Sequence, residues 1–478
     1  MRAGKTHCFN GLLAYVRKDK GIALAVASSG IAALLLNLGR TFHSRFKAQI
    51  NPTKSYILNI SAETALAKLI IRADLIVWDE APTMHRWHLE ALDRTLRDLM
   101  GNDLPMGGKV VVLGGDYRQC LPIIARAGRA EIIGACLHRS KLWAKAEVFQ
   151  LTENMRIAAA RDTHDQETLN AFSEYLLNVG RGTADPAPTE KKPHLMRAKP
   201  SMCIESPPRE DNDTAGLDAL VEHVYPGLDT NCHAAIVERR TALSTGQNAP
   251  VTEKEATRHF FAERAILCPL NATVRKLNKQ LLAKCPGTKV VCLSSDVLID
   301  EDGGPPIDVE LLQTLCPTGI PEHEFEFKAQ TPIMLIRNLA PRLGLCNGTR
   351  LLAIKLSSKR RTLLAQIISG SKRHIGNLVL LPRIKFKVDA DETGFEWVRT
   401  QFPVRVSYLM TINKSQGQTL QSVGVSLDED CFAHGQFYVA LSRAGNPTAV
   451  RLLVPKDQDG NYCTSNVVYT EALKSFTT

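Results

Sequence analysis

Several short apolar runs rich in β-forming residues end in polar residues or glycine and are followed by helical patterns: IALAVA (22–27), DLIVWD (74–79), KVVVLGGD (109–116) and EVFQL (147–151). An unbroken apolar run suits a strand whose sheet is covered by helices on both faces, whereas a strand with one wet face alternates. The succession of such runs and helical patterns predicts parallel strands joined by crossover helices, an α/β layout.

Residues 183–208 hold six prolines among many polar residues, which predicts a linker or long surface loop closing the first unit. Beyond it, RAILCP (264–269) followed by the amphipathic TVRKLNKQLL (273–282) predicts a further strand and helix. From 306 to 399 the pattern turns into short β-like runs, TPIMLIRNL, TRLLAIKL, TLLAQIIS and NLVLLPRIKFKV, separated by Gly, Asn, Ser and basic turns. SYLMTINKSQGQTL, SVGVSL and AVRLLVP then restore strand and helix signals. The expected organisation is one α/β domain over 1–190, a second that is discontinuous (191–305 with 400–478), and a small β domain inserted at 306–399.

Length and composition support several globular domains: 478 residues, 44% hydrophobic and 23% charged, exclude a disulfide-stapled module and a disordered chain. The net charge of +10 suggests a polyanionic partner. Its distribution narrows the picture, since residues 350–387 carry ten Lys and Arg and no Asp or Glu. Twelve cysteines without a CxxC pair read as reduced thiols. The uncharged stretch 21–39 has the length of a membrane span, but Gly21, Ser28, Ser29, Gly30, Asn37 and Gly39 interrupt it. The first residues lack the apolar core of a signal peptide. The expectation is an intracellular protein that does not enter the membrane.

Three constellations carry chemistry. Gly4-Lys5-Thr6 has the form of the end of a phosphate-binding loop, in which backbone amides cradle phosphates, lysine reaches the β- and γ-oxygens and threonine holds magnesium. An exposed turn is the alternative, and the glycine that opens the full G-x-x-x-x-G-K-[ST] pattern would lie ahead of Met1. LIVWDEAP puts Asp79 and Glu80 at the polar end of an apolar strand, where a nucleotidase needs a magnesium carboxylate and a water-activating base. VVVLGGDYRQCLP groups Asp116, Arg118 and Gln119 after the next strand, either as a γ-phosphate sensor or as a polar turn. His85 and His88 have the spacing of metal ligands, but no nearby cysteine or third ligand joins them.

Together with VASSGIAALLL, GRTFHSRF, LTENMR, PIMLIRNL, GLCNGTRL, QFPVRVSYLMTINKSQGQTL and HGQFYVALSRA, these stretches resemble the superfamily 1B DNA helicases of the petite-integration-frequency type, above all the helicase region of Helitron transposons. The resemblance covers nearly the whole chain. It implies two RecA-like P-loop NTPase domains with parallel sheets, an inserted SH3-like β domain, and a nuclear, or else mitochondrial, motor that uses ATP and Mg2+. Such a motor moves 5′ to 3′ on single-stranded DNA and opens forked or duplex DNA in recombination, repair, telomere maintenance or transposition.

By the resemblance, Gly4, Lys5 and Thr6 bind ATP, and Thr6 and Asp79 bind magnesium. Glu80 is the general base, Gln119 senses the γ-phosphate, and Arg156 and Arg443 meet its developing charge. DNA contacts are implied for Ser29, Gly30, Thr41, His43, Ser44 and Phe46, and for Lys414, Ser415, Gln416 and Thr419, since hydroxyl, amide and backbone donors suit phosphates and an aromatic ring stacks on any base. The basic insertion adds Arg360, Arg361, Lys372 and Arg373, with a solvated basic face as the alternative. The incomplete phosphate loop departs from the family pattern. It leaves two expectations, a chain cut within that loop or a DNA-binding remnant without catalysis.

Overall fold

Two of the unbroken apolar runs, at 22–27 and 74–79, become fully buried strands. A computed structural model describes residues 4–153, 155, 166–189, 192–205, 215–228, 260–299 and 308–473. The chain divides into two compact units, 1–217 with 415–478, and 218–414.

The first unit begins with helix α1 (Lys5–Lys18), strand β1 (Ala23–Ala27), α2 (Gly30–Leu35), β2 (Arg40–Thr41), α3 (Phe42–Phe46), α4 (Ala65–Ile71), β3 (Leu75–Asp79), α5 (Arg86–Met100) and β4 (Val110–Leu113). The strands form a parallel sheet ordered β2-β1-β3-β4. Every residue of β1 and β3 is buried, because alternate side chains enter two cores. Leu24, Val26, Ile76 and Trp78 meet α3, α4 and α5 on one face, while Ala23, Ala25, Ala27 and Val77 meet Phe9 and Leu13 of α1 on the other. Trp78 anchors the larger core, its ring stacked on Phe42 at 4.0 Å. The uncharged stretch 21–39 is thus β1 and α2. No helix among the described residues is long and apolar enough to cross a membrane.

Two expectations are corrected in this unit. Residues 147–151 form no strand, and Phe149 stands 81% exposed. The proline-rich segment 183–208 is not only a linker: after α6 (Arg129–Ala135) and α7 (Gln166–Arg181) it supplies β5 (Leu195–Arg197).

The second unit begins within a helix at Ala215–Val224 and continues with β6 (Arg264–Cys268) and α8 (Asn271–Lys284), followed by β7 (Val290–Leu293), β8 (Ser295–Leu298), α9 (Val309–Thr314), β9 (Glu324–Phe327), β10 (Pro332–Leu335), β11 (Arg350–Leu356), β12 (Thr362–Ile367), β13 (Leu378–Pro382), β14 (Ile384–Val388), β15 (Trp397–Gln401), β16 (Val404–Val406) and β17 (Leu409–Thr411). β17 runs parallel to β6, and Asn278 of α8 locks the pair by bonding both the N–H and the C=O of Leu409 at 3.0 Å. The rest is antiparallel: a five-stranded sheet β13-β12-β11-β10-β16, a β7–β9 ribbon and a three-stranded sheet β14-β15-β8. Alternate residues of the five-stranded sheet and the ribbon, with Phe402, fill one core, while Phe386 and Val388 of β14 and Trp397 of β15 pack with Leu312 of α9 in another. β strands therefore begin at 290, ahead of the expected 306. Arg399 is buried beside Asp296 at 2.7 Å and also donates to the carbonyls of Leu312, Leu315 and Pro321, which fastens α9 and the segment after it.

The chain then returns to the first unit with β18 (Ser422–Ser426), α10 (Gln436–Leu441), β19 (Val450–Leu453) and β20 (Cys463–Ser465). β18 and β19 pair in parallel, and β20 pairs with β5. No disulfide joins the described cysteines.

Candidate active site

β3 ends at Asp79 with Glu80 directly after it, and α1 starts at Lys5 with Gly4 as its N-cap. The Lys5 ammonium lies between the two acids, 2.7 Å from Asp79 and 3.0 Å from Glu80. Burial works against this ammonium, but Glu80 and Asp79 outweigh it and hold its pKa above the usual lysine value. Burial pushes the Asp79 carboxyl up, against the pull of Lys5. Thr6 follows Lys5 in the first turn of α1 and is partly exposed.

Glu80 holds a left-handed backbone (φ 54°), a strained conformation for a glutamate. Surrounding bonds impose it: its carbonyl accepts from Ser28 Oγ at 2.7 Å and Thr83 Oγ1 at 2.8 Å, while Trp78 Nε1 donates to Ser28 Oγ at 3.1 Å. The core tryptophan is thus tied through Ser28 to the backbone of Glu80, two residues on. Gln416 Nε2 approaches Glu80 Oε2 at 3.4 Å. The turn after β4 closes over α1, and a Cβ on Gly114 would lie 2.1 Å from the Phe9 ring, so only glycine fits there.

Gln119 follows this turn. Its Oε1 is buried and without a hydrogen-bond partner. Arg443, just beyond α10, is buried and donates to the carbonyls of Val439, Ser415 and Gln418 and to Ser442 Oγ. Burial lowers its pKa, with Glu80 pulling the other way. Arg156 lies outside the described residues.

Of the expected DNA contacts, Ser29 and Thr41 cap α2 and α3, each accepting from the backbone N–H three residues on. Gly30 is the buried first residue of α2, and Ser44 accepts from Arg40 at 2.8 Å. His43 is partly buried with Nε2 unpartnered, and burial, aided by His88, pushes its pKa down to about 4. Phe46 departs from expectation: it is 0% exposed, packed on Phe42 at 5.0 Å, so its ring is core and offers no face to a base. Ser415 is buried, while Thr419 is exposed. In the second unit Lys414 bonds Asn347 at 2.9 Å. Arg360, Arg361, Lys372 and Arg373 are exposed on turns between strands, and Arg360 also donates to the Val291 carbonyl. His85 and His88 belong to no cluster able to hold a metal among the described residues.

Sequence reasoning missed the partners of the 116–119 turn. Asp116 accepts from Tyr438 of α10, and the intervening chain gives no sign of that pairing. A glycine ahead of α10, Gly435, was the available hint.

Residues 2–190 match the family described as PIF1-like helicase, and residues 310–356 match the 2B domain of DNA helicase Pif1. The ATP-dependent DNA helicase Pif1 of Psychrobacter is 24% identical over 500 residues, covering 95% of this chain and 65% of that protein. RRM3 of Saccharomyces cerevisiae is 24% identical over 446 residues (89% and 58%). Human PIF1 is 34% identical over 148 residues (30% and 21%). The chain thus spans less than two thirds of each of these three curated relatives. A crystal structure of Bacteroides Pif1 bound to ssDNA superposes with a TM-score of 0.63 at 19% identity, over 99% of this chain and 90% of that one. The same coverage and TM-score hold for the Bacteroides enzyme with ADP-AlF3 and ssDNA. These likenesses fix the fold as α/β with two RecA-like domains.

Proposed function

We propose, from the match of residues 2–190 to the PIF1-like helicases and of residues 310–356 to the Pif1 2B domain, that this chain is an ATP-dependent DNA helicase of superfamily 1B. It translocates 5′ to 3′ on single-stranded DNA and opens forked DNA. The observation that carries the reading is the Lys5–Asp79–Glu80 cluster at the end of a buried parallel strand.

The chemistry follows from the residues. Lys5 exchanges its carboxylate contacts for the β- and γ-phosphate oxygens of ATP. Glu80, no longer neutralised by that ammonium, takes a proton from the attacking water. Gln119 offers an unpartnered buried acceptor to orient that water, and Arg443 with Arg156 meets the charge growing on the transferred phosphoryl group. Thr6 and Asp79 are oxygen donors of the kind a hard divalent cation takes, and bound magnesium would neutralise phosphate charge there.

Contacts to single-stranded DNA would come from the helix caps Ser29 and Thr41 with Ser44 of α3, from the segment Lys414–Thr419, and from the basic turns carrying Arg360, Arg361, Lys372 and Arg373. Domain 1A is read over 1–190, 2A over 191–305 with 400–478, and an SH3-like 2B over 306–399. Support for DNA as the track comes from solved relatives described as bound to ssDNA and acting at forked dsDNA. The motif set favours a role in Helitron transposition or nuclear genome maintenance.

Unwinding assays on forks test the reading. A fork with a 5′ single-stranded tail should open in the presence of ATP and magnesium, and a fork with only a 3′ tail should not. DNA binding without ATP-dependent opening of either fork would mark the chain as a catalytically inactive DNA-binding remnant.

A further inference from the structure

We propose that Tyr438 is a positioning residue: its hydroxyl fastens the turn that carries Gln119 to the helix that leads into Arg443, so the two γ-phosphate-facing groups keep one register. The proposal rests on the nucleotide-hydrolysing reading of this site and adds how its two halves are held together.

The geometry is over-determined. Tyr438 is fully buried, and its Oη donates to Asp116 Oδ2 at 3.0 Å. Asp116 Oδ1 accepts from the backbone N–H of Arg118 at 3.1 Å and from its Nε at 2.8 Å. The Arg118 guanidinium lies 5.6 Å from the centre of the Tyr438 ring, so one arginine touches both ends of the phenol–carboxylate bond. Gln119 closes the turn, its N–H donating to the Asp116 carbonyl at 3.1 Å.

A second contact fixes the N-terminal end of the same helix. Gly435 has φ 73°, and a Cβ there would lie 2.3 Å from the carbonyl oxygen of Arg118 and 2.8 Å from that of Gln119. The backbones therefore touch, and only glycine allows it. Next to it, His434 Nδ1 accepts from the Tyr469 N–H at 2.8 Å, which leaves Nε2 to donate to the Tyr117 carbonyl at 2.7 Å. Residues 116–119 are thus gripped from 434 to 438, and Arg443 continues the same chain one turn on.

Tyr438→Phe removes one hydroxyl and leaves the backbone and the ring in place. Burial disfavours the Asp116 charge, but Arg118 holds the carboxyl down at about 2, so the phenol donates to a charged acceptor. Losing such a bond loosens the turn against the helix while the ring still fills its place.

Tyr438→Phe tests this in the full chain. Turnover of ATP stimulated by single-stranded DNA should fall about tenfold, the size expected for one hydrogen bond to a charged acceptor. KM for ATP and affinity for DNA should stay within about twofold, since Lys5 and the DNA-facing caps are untouched. Asp116→Asn added to Tyr438→Phe should cost little more than Asp116→Asn alone. Unchanged turnover, or a KM that rises in step with the loss, would overturn the proposal.

Hydrogen exchange without nucleotide supplies an independent readout. The amides of Arg118 and Gln119 should exchange about tenfold faster in Tyr438→Phe, and Lys5→Ala should leave them unchanged. Equal protection in Tyr438→Phe and the parent chain refutes the latch. Absence of turnover in the parent chain refutes the hydrolytic reading instead.

Discussion

The parallel sheet of the first unit and the antiparallel β region of the second use charge in opposite ways. In the first, apolar strands carry nothing ionic until their ends, where Asp79, Glu80 and Asp116 collect beside Lys5 and Arg118. In the second, cations alternate with core residues along the strands and spread over the turns. Several of them are structural: Arg350 is fully buried and donates to the carbonyls of Arg264 and Ser407, Arg360 and Arg383 donate to the β7 carbonyls of Val291 and Leu293, and Lys387 pairs with Glu396 at 2.8 Å. A run of ten positive charges in sequence is therefore not ten charges offered to a polyanion. Chemistry concentrates where a parallel strand ends, and a charge count overstates the binding surface of an antiparallel one.

The sharpest way to break the comparison is at the strand end. Glu80→Gln should lower ATP turnover by about 10²–10⁴-fold, the range for loss of a general base, while nucleotide-dependent DNA binding persists. Steady-state hydrolysis with filter binding on the same preparation checks it, and retained turnover would remove Glu80 from that role.

Next in size is the buried arginine of the β region. Arg399→Met leaves Asp296 charged and buried, which should destabilise the second unit by about 3–5 kcal/mol in urea unfolding. A change as small as that of a surface arginine would place the pair outside the core.

Asp116 gives a pH test in the first unit. Its folded pKa of about 2 lies below its ordinary 3.8, so the contribution is present above 3.8 and is lost as pH falls through 2. The shift corresponds to about 2 kcal/mol. Acid titration of stability should therefore flatten between pH 4 and 2 in Asp116→Asn. An unchanged titration would mean that Arg118 does not hold that charge.

The smallest effect belongs to the exposed cations. Replacing Arg361, Lys372 and Arg373 by Gln should reduce the slope of log affinity for single-stranded DNA against log salt by about 0.7 for each phosphate that is no longer neutralised. Equal slopes before and after would return these charges to a solvated face.

What the sequence made legible follows the same division. β1, β3 and β4 could be read because an apolar run between polar ends needs no knowledge of its partner. The run at 147–151 has the same look yet forms no strand, because pairing depends on a neighbour that local pattern does not specify. β5 went unread for the converse reason: its partner β20 lies at the far end of the chain. At the site, Lys5, Asp79 and Glu80 declared themselves by residue type and order. The bond from Tyr438 to Asp116 spans 322 positions and looks, in sequence, like one more aromatic residue in a helix. Phe46 failed the opposite way, since an aromatic in a polar segment suits a base stack as well as a core, and the ring of Phe42 decided for the core.

The central claim is that Lys5, Asp79 and Glu80 form a working nucleotide site, and the most direct test is ATP hydrolysis by the 478-residue chain with magnesium, with and without single-stranded DNA, beside Lys5→Ala. The account predicts turnover that single-stranded DNA stimulates and that Lys5→Ala abolishes. Turnover that persists in Lys5→Ala, or none in the parent chain while DNA still binds, would contradict it.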